Sequence, residues 1–449
     1  MIKLQEKNPS LPFEDWFYYK DNTPPRLGVG CATYPLQNQI HMKNPSWQVQ
    51  KVKNVTVYIF GAYYDNRTDP KMIRVITMLP FLNFNFSLKC QMWFKIDKKP
   101  IIVPVSSFFL MWIRAYGKIK EEYPYLLTCD IPKSHAGLVP DSVSIVGERC
   151  DKGTNNVRVI YNKYSDEEKS DFGVCVKGLS FIDEKKSVQL IEWFELLSLS
   201  GANKVHLYLF EAHELTKKVL EYYKAQGKIT VTPFTVLHNL PPISGLINVN
   251  LMKHMTVKRL HEVVSYTDCL YKNMYRHKYI ALFDTDEIIV GTRTPHWIDL
   301  INDLLPNNEK EGHHHSSYCG RNVYFMDESQ NHPEVPEYMY MLQRTKRSKN
   351  FTGPGAYVKC FHDTSNVVVL HNHFPFKCLG QCYSQHFNTD EAYMHHYRKS
   401  CHPEIRNCSE KFWNHQIEDK SVWQFMPEVI NNVKKSMIEL GFMKIANEN

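Results

Sequence analysis

The sequence lacks any long uninterrupted run of apolar residues. The nearest approach, residues 101–116, is broken by a proline, two serines and Arg114. Because a membrane-spanning helix needs about 20 predominantly apolar residues, none is predicted. The start at Met1 also lacks the basic and then apolar pattern of a secretory signal peptide. Neither kind of targeting segment is therefore expected within the 449 residues.

The chain also lacks a large charge imbalance, internal repeats and low-complexity tracts. Its net charge of +7 is too mild to indicate a nucleic-acid partner, because basic and acidic residues are interspersed. Hydrophobic residues make up 43% and charged residues 22%, which excludes a disordered or fibrous chain. The length is enough for about two or three domains.

Cysteine, by contrast, occurs twelve times, with a late cluster at Cys360, Cys378, Cys382, Cys401 and Cys408. N-glycosylation sequons begin at Asn54, Asn66, Asn85, Asn350 and Asn407. Together these features favour an oxidising lumen, so most cysteines of the late cluster are predicted to be paired. A zinc site at Cys378 and Cys382 is the alternative. The loose spacing of Cys401 and Cys408 suits disulfides better than a tetrahedral cage.

Short runs of β-branched and aromatic residues, punctuated by Pro and Gly, dominate residues 50–165. Strands are expected at residues 55–60, 72–78, 87–96 and 101–109. This spacing predicts an antiparallel β-rich, sandwich-like domain over residues 50–165. Residues 1–49 are expected to form an N-terminal extension.

The pattern changes near residue 170, where strands begin to alternate with amphipathic helices. Strands are expected at residues 172–179, 205–210, 229–236 and 279–283. Helices are expected at residues 183–200, 213–226 and 254–277. Such alternation predicts an α/β fold with a mainly parallel sheet over residues 170–449. Ligands of such sheets bind beyond the carboxyl ends of the strands.

Two aspartates, Asp284 and Asp286, follow directly on the apolar strand at residues 279–283. Carboxylates this close repel each other, so the pair favours a shared cation. Mn²⁺ or Mg²⁺ takes carboxylate and phosphate oxygens together and would neutralise a departing diphosphate. The sequence therefore predicts a metal site that holds a nucleotide-sugar donor, although two acids after a strand often only end it in water.

Two other functions fit parts of this pattern. An aspartate-nucleophile phosphatase also places an Asp-x-Asp after an apolar strand, but Glu287 and Ile288 stand where that class has glycine and a small residue. A lectin-like module would bind glycans through aromatic residues of the β-rich domain without any catalysis.

Several stretches, in this order, resemble glycosyltransferase family 92, formerly a domain of unknown function. They are Cys175-Val-Lys-Gly-Leu179 with Leu190-Ile-Glu-Trp-Phe-Glu195, Asp268-Cys-Leu-Tyr271 with Ala281-Leu-Phe-Asp-Thr-Asp-Glu287, His371-Asn-His-Phe374 and His396-Tyr-Arg398. Residues 57–67 also resemble the β-rich region of animal members. Gly178 departs from the residue expected there.

The resemblance implies a GT-A-like nucleotide-sugar-binding fold and an inverting, metal-dependent transferase. The implied reaction moves galactose from UDP-galactose to β-linked acceptors on glycans. Family members are usually type II membrane proteins of the Golgi. A membrane anchor and a Golgi location are therefore expected, although no segment of this chain has the pattern of an anchor.

The resemblance also implies roles for individual residues. Asp284 and Asp286 would hold the metal, with His371 or His373 completing it. Donor contacts would come from Lys177, Asp284, Glu287 and Arg398. The histidines could equally be structural, and Arg398 could form a surface ion pair. Inversion needs a base on the acceptor hydroxyl. Its candidates are Asp327, Glu328, Asp390 and Glu391, of which Glu391 is favoured because it shortly precedes the closing motif.

Overall fold

A computed structural model describes residues 8–17, 31–80, 86–113, 117, 122–163, 168–183, 186–237, 245–311, 314–326, 332–401, 405 and 407–444. The chain divides into two compact units. The first comprises Met1–Ser165 and Thr232–Tyr275, and the second comprises Asp166–Val231 and Arg276–Asn449. The expected three-part division into residues 1–49, 50–165 and 170–449 stays a prediction.

The helices of the described ranges are short to medium in length. They are α1 (Phe13–Phe17), α2 (Lys186–Ser200), α3 (Glu214–Ala225), α4 (Leu246–Lys253), α5 (Met255–Asn273), α6 (Trp297–Glu311) and α7 (Met426–Glu439). Single turns of 3-10 helix lie at Gln37–Gln39 and Lys133–His135, a longer one at Ser421–Phe425, and a π-helical turn at Ser409–Trp413. No described helix is long and apolar enough to cross a membrane.

Strands occur in both units, and the first ten all belong to the first unit. The first ten are β1 (Met42–Asn44), β2 (Trp47–Val52), β3 (Val55–Asp65), β4 (Met72–Leu79), β5 (Lys89–Trp93), β6 (Ile101–Pro104), β7 (Ser107–Leu110), β8 (Tyr123–Asp130), β9 (Ser142–Val146) and β10 (Val157–Ile160). The others are β11 (Ser170–Phe181), β12 (Ala202–Ala212), β13 (Ile229–Pro233), β14 (His277–Leu282), β15 (Glu287–Gly291), β16 (Ser317–Gly320), β17 (Asn322–Met326), β18 (Lys346–Ser348), β19 (Lys359–Asp363), β20 (Val367–His371), β21 (Phe374–Cys378), β22 (Ser384–His386), β23 (Ala392–Arg398) and β24 (Gln416–Glu418).

The first unit is built on a ten-stranded sheet within the described residues. Its strand order is β6-β5-β9-β10-β3-β4-β8-β7, with β2 pairing β3 and β1 pairing β2. The expected sandwich-like packing stays a prediction. β10 pairs in parallel with β3 and antiparallel with β9, which joins all ten strands.

Helix α5 packs in the first unit through a buried polar group. The Tyr63 hydroxyl donates to the carboxylate of Asp268, and Lys272 Nζ donates to the same carboxylate at 2.6 Å. The rings of Tyr63 and Tyr271 stack with centroids 5.2 Å apart. Asp268 and Tyr271, part of a stretch that resembles the family's metal motif, therefore contribute to the core of the first unit.

The second unit contains a seven-stranded sheet of order β13-β12-β11-β14-β19-β16-β22. β11 lies parallel to both β12 and β14, as the alternation of strands and helices predicts. β19 instead runs antiparallel to β14 and β16. β16 pairs in parallel with β22. The sheet is therefore mixed: the expected parallel pairing holds for β12, β11 and β14, and antiparallel pairing enters through β19.

Two smaller sheets complete the second unit. One has five strands in the order β15-β23-β17-β18-β24, and the other is the hairpin β20-β21. β15 follows β14 after four residues, so the chain passes from the seven-stranded to the five-stranded sheet at residues 283–286. The two expected metal ligands lie in this passage.

Helix α2 packs in the core of the second unit with its apolar residues and with four buried polar ones, Ser187, Glu192, Glu195 and Ser200. Trp193 is fully buried, and its Nε1 donates to the carbonyl of Glu287 at 2.8 Å. Glu192 accepts hydrogen bonds from the backbone N–H groups of Tyr340, Met341 and Leu342 at 2.5 to 3.0 Å. Burial raises the pKa of Glu192 to about 7, against the lowering effect of these donors.

Disulfides connect the cysteines of both units. Among the bonded pairs are Cys31–Cys150 and Cys90–Cys129 in the first unit and Cys319–Cys360, Cys378–Cys382 and Cys401–Cys408 in the second. No cysteine of the described ranges is free. The predicted pairing of the late cysteines is confirmed, and the zinc alternative at Cys378 and Cys382 is wrong because these two residues are bonded to each other.

Thiol counting checks this covalent framework. We expect the unreduced, denatured protein to give no signal with a thiol reagent, and the reduced protein to give twelve thiols. Reactive thiols at Cys378 and Cys382 in the unreduced protein would contradict the assigned pairing and reopen the metal-binding alternative.

A buried histidine in β19 makes the stability depend on pH. Burial, with the nearby charge of Lys359, lowers the pKa of His362 to about 3. The unfolded side chain titrates near 6.5. Below that pH the unfolded chain binds a proton that the folded chain rejects, so stability is lost as pH falls towards 3. The slope is at most about 1.4 kcal/mol per pH unit for this one group.

We therefore expect the His362→Leu variant to lose stability less steeply on acidification than the wild type. Urea unfolding at about pH 7, 6 and 5 measures the difference. The comparison uses the change in unfolding free energy with pH, so a constant offset caused by the substitution cancels. Parallel pH profiles for the two proteins would show that His362 does not titrate as its burial requires.

Candidate functional site

The aspartate pair lies at the carboxyl end of β14. Ala281, Leu282 and Phe283 are fully buried, and the carboxylates begin where the strand leaves the core. In the parallel register of β11 and β14, Cys175 pairs with Leu282. Two residues further on, Lys177 is therefore brought alongside Asp284, because paired parallel strands advance together.

Asp284 forms ion pairs with lysines from both neighbouring strands. Lys177 Nζ lies 3.0 Å from Oδ1 and donates a hydrogen bond to Oδ2 at 3.2 Å. Lys359 Nζ, in β19, lies 3.6 Å from Oδ2. Burial opposes ionisation, but the charges of Lys177 and Lys359 hold the pKa of Asp284 well below its usual range. Asp284 is therefore an anion whose charge is already balanced.

Glu287, at the start of β15, fixes the turn that carries the aspartates. Its carboxylate accepts the backbone N–H of Asp284 at 2.9 Å and lies 3.0 Å from Lys359 Nζ. His396 Nδ1, across the antiparallel pair of β15 and β23, lies 3.5 Å from the other oxygen. With 3% of its side chain exposed, Glu287 orients its neighbours. Its expected contact with the donor stays a prediction.

Asp286 is the more exposed of the two aspartates, at 37% of its side chain. His396 Nε2 lies 3.8 Å from its carboxylate, beyond hydrogen-bonding distance. Desolvation raises the pKa of Asp286, the charge of His396 opposes the rise, and Glu287 and Asp284 add to it. A bound cation would thus stabilise the ionised form of Asp286 most, because it would offset the repulsion from Glu287 and Asp284.

These residues suit a metal ion that shares its ligands with a substrate. No group of three or more His, Cys, Asp or Glu in the described part of the chain forms a metal cage by itself. The buried Asp284 Oδ1 accepts no hydrogen bond there, although Lys177 lies close to it. Mg²⁺ and similar ions are commonly held by one or two carboxylates plus substrate phosphates and water. The carboxylates of Asp284 and Asp286 therefore fit such an ion.

His373 lies in the turn of the β20-β21 hairpin. Its Nδ1 is 2.9 Å from the carbonyl oxygen of Val358, which can only accept, so Nδ1 carries the proton and Nε2 keeps its lone pair. Burial and the charge of Lys359 lower the pKa of His373 to about 4. A neutral ring fixed through a backbone carbonyl is the form in which histidine binds metals.

A family model described as glycosyltransferase family 92 matches residues 170–439, more than half of the chain. The chain belongs to glycosyltransferase family 92. The resemblance predicted from the sequence is confirmed, and this family 92 protein is a glycosyltransferase with a mixed α/β fold. No curated protein matches the chain.

Two solved structures are similar to parts of this family 92 chain. One is S. aureus TarS 1-349 in complex with UDP, at 10% identity and a TM-score of 0.26, over 60% of this chain and 65% of that chain. The other is S. aureus TarS 1-349, at 14% identity and a TM-score of 0.25, over 62% and 76% respectively. Scores this low carry no argument about the site.

The structure does not bring the favoured base of the family 92 chain to the aspartates. Glu391 directly precedes β23 at the Gly291 end of β15, and its carbonyl accepts from Thr292 N–H at 2.8 Å. Glu287 begins β15 at the opposite end, about 13 Å of strand away. Asp390 forms an exposed ion pair with Arg293 at 2.7 Å. The remaining base candidates, Asp327 and Glu328, lie outside the described residues.

Arg398 ends β23 two residues after His396, on the same side of the strand. Its Nε donates to the carbonyl of Ser400 at 3.2 Å. The expected contact with a donor diphosphate is therefore compatible with its position. Lys359 is the residue of this family 92 site that sequence reasoning missed, since nothing about a lysine in the strand Lys359–Asp363 signals that it is buried against two carboxylates.

Proposed function

We propose that this family 92 enzyme is a metal-dependent inverting transferase with a GT-A-like nucleotide-sugar-binding fold. It transfers galactose from UDP-galactose to a glycan acceptor. The observation that carries the proposal is the register of β11 and β14, which places Lys177 against Asp284 at the carboxyl edge of the sheet, with Asp286 exposed beside them. Cations and carboxylates at that edge are what a metal–diphosphate group requires.

Each residue has a distinct part in this proposal. Asp284 and Asp286 would hold the ion, with His373 Nε2 as a further ligand. The ion would supply charge neutralisation at the departing nucleotide diphosphate. Lys177, beside Asp284, would contact a donor phosphate. Arg398 contacts the diphosphate from β23. Lys359 stays in place because Glu287 holds it.

Inversion requires a base on the acceptor hydroxyl. Glu391 stays a prediction in that role, and its position at the far end of β15 argues against it. β17 ends at Met326, paired with Arg398, immediately before Asp327 and Glu328 in the chain. We therefore prefer Asp327 and Glu328 to Glu391 as candidates for the base. Loss of transfer in Asp327→Asn or Glu328→Gln, with transfer retained in Glu391→Gln, would support this preference.

We also propose that the enzyme works in the Golgi, anchored to the membrane as other family members usually are. The paired cysteines and the sequons support an oxidising lumen. The partners in this proposal are a nucleotide sugar and an N-glycan or related acceptor, with no nucleic acid.

The deciding test incubates the purified protein with a panel of nucleotide sugars and Mn²⁺. The expected result is release of UDP from UDP-galactose well above that from the other donors, and less release after chelation. Release of the nucleotide from a different donor would support transferase activity and show that the transferred sugar is not galactose. Binding of glycans without turnover of any donor would instead support the lectin-like alternative.

A further inference from the structure

A group of aromatic rings lies beside the candidate metal site, on the hairpin β20-β21 and just before β19. We call this group the aromatic shelf, and it consists of Tyr357, His371, His373, Phe374 and Phe376. All five side chains are partly exposed, and Tyr357 is the most exposed, at 37%. Partly exposed aromatic groups next to polar side chains are typical of ligand sites.

The rings of the shelf are arranged face to face and edge to face. The ring of His371 stacks on that of Phe374 with centroids 4.4 Å apart and planes 19° apart. Phe376 meets Phe374 edge-on at 6.3 Å. Tyr357 meets His373 edge-on at 6.0 Å. The arrangement presents apolar ring surface together with the polar edges of the two histidines.

The shelf is fixed to the metal site through Lys359. Lys359 Nζ donates to Asn372 Oδ1 at 2.6 Å, in the turn of the hairpin, and lies 3.6 Å from Asp284. The hydrogen bond between His373 and Val358 ties the same turn to the chain that precedes β19. The disulfide Cys378–Cys382 closes the far end of the hairpin. An isolated two-stranded hairpin is marginal in water, so these ties hold the rings in position.

The order of the strands separates the shelf from the donor contacts. β14, which carries Asp284, lies between β11 on one side and β19 on the other. Lys177 approaches Asp284 from β11, whereas Lys359 and the shelf approach from β19. The proposed phosphate contact of Lys177 and the chain that carries Tyr357 therefore reach Asp284 from opposite neighbours of β14, which leaves room for a second substrate on the β19 side.

The backbone at Tyr357 adds an independent observation. Its φ of 55° lies in the left-handed region, which bulky residues rarely adopt. A glycine would make this bend without strain. The ring of Tyr357 is partly exposed, so burial does not compensate the strain in full. Strained residues of this kind occur where a ligand uses the side chain.

We propose that the aromatic shelf binds the acceptor, as a β-linked hexopyranose ring whose C–H face packs on Tyr357 and Phe374. Ring hydroxyls of the sugar would reach the polar edges of His371 and Asn372. This inference rests on the proposed transferase function and assigns the acceptor side of that site. Aromatic side chains supply contact area at a small cost in conformational entropy, which suits recognition of a sugar.

The test compares Tyr357→Ala with Tyr357→Phe and with Leu379→Ala, an exposed apolar residue just after the hairpin that lies outside the shelf. Transfer from UDP-galactose to methyl β-D-galactopyranoside is measured at varied concentrations of each substrate. We expect Tyr357→Ala to raise the acceptor KM about tenfold, the equivalent of a modest binding loss. The KM for UDP-galactose and acceptor-free donor hydrolysis are expected to stay at wild-type values. Tyr357→Phe, which keeps the ring, is expected to restore a low acceptor KM, and Leu379→Ala to leave all constants unchanged.

A binding measurement separates the shelf from the reaction. Saturation-transfer NMR of methyl β-D-galactopyranoside with UDP and diamagnetic Mg²⁺ is expected to show ring protons in contact with the wild type and with Tyr357→Phe, and not with Tyr357→Ala. An unchanged acceptor KM and unchanged NMR contacts in Tyr357→Ala would overturn the proposal, as would a rise confined to the KM for UDP-galactose. If the wild type binds the galactoside through Tyr357 but turns over no donor, sugar binding at the aromatic shelf is supported and the proposed transferase function is refuted.

Discussion

Donor turnover by Asp286→Asn is expected to fall by about two or more orders of magnitude, because several kcal/mol of transition-state stabilisation come from an ion of this kind. The substitution keeps the shape of the side chain and removes one of the charges that hold the ion. Folding is expected to be retained, since the carboxylate is partly exposed and its ionic neighbour, His396 Nε2, is 3.8 Å away. The readout is UDP release from UDP-galactose, with thermal unfolding as the check on folding.

A matched control is available in Asp171→Asn. Asp171 has the same side-chain exposure, 37%, and pairs with Lys278 near the opposite end of β11 and β14. This variant is expected to keep wild-type turnover. Chelation of the wild type is expected to reproduce the effect of Asp286→Asn, and added Mn²⁺ to reverse chelation but not the substitution. Wild-type turnover by Asp286→Asn, or insensitivity to the chelator, refutes the metal-dependent mechanism.

Lys359→Met is expected to cost about 3–5 kcal/mol of unfolding free energy, the typical result of removing one partner of a buried ion pair. The Lys359 side chain is completely buried, and Glu287, 3.0 Å away, is nearly so. Without the lysine, Glu287 keeps a desolvated charge whose remaining ionic neighbour is His396, at 3.5 Å. Urea unfolding of the wild type and the variant measures the loss.

Two further variants make this test specific. The double variant Lys359→Met with Glu287→Gln is expected to recover part of the loss, because neither side chain is then a buried unpaired charge. Lys278→Met removes an exposed lysine that pairs with Asp171 at 2.9 Å, and is expected to cost less than about 1 kcal/mol. Equal losses in Lys359→Met and Lys278→Met would contradict the burial of the pair.

Local sequence pattern predicted the strand–helix units of the second unit well. Helix α2 was expected at residues 183–200 and occurs at Lys186–Ser200. Helix α3 begins after His213, whose ring accepts the N–H of Leu215 as an N-cap. Helix α4 was not expected, because its eight residues follow the left-handed Gly245 and are too few to establish a helical period.

Non-local pairing limited what the sequence could say about the sheets and the site. The antiparallel placement of β19 depends on which strands meet after long loops, and Lys359 is brought to Asp284 only by that pairing. The nearness of Lys177 to Asp284 follows from a parallel pair, because Lys177 lies in β11 and Asp284 follows its neighbour β14. Glu391 was favoured for its nearness in sequence to the closing motif, which is not nearness in space along an extended strand that advances about 3.3 Å per residue. Its role as the base stays a prediction.

The neighbour of Lys359 in β19 ties the site to the way in which the protein is produced. Cys360 is bonded to Cys319 on β16, directly across the antiparallel pair. The strand that positions the buried lysine is therefore covalently secured only after oxidation. Recombinant protein made in the reducing cytoplasm of a bacterial host would lack this crosslink, so an inactive preparation from such a host says little about the enzyme. Expression hosts with an oxidative folding pathway are the appropriate source for every assay of this chain.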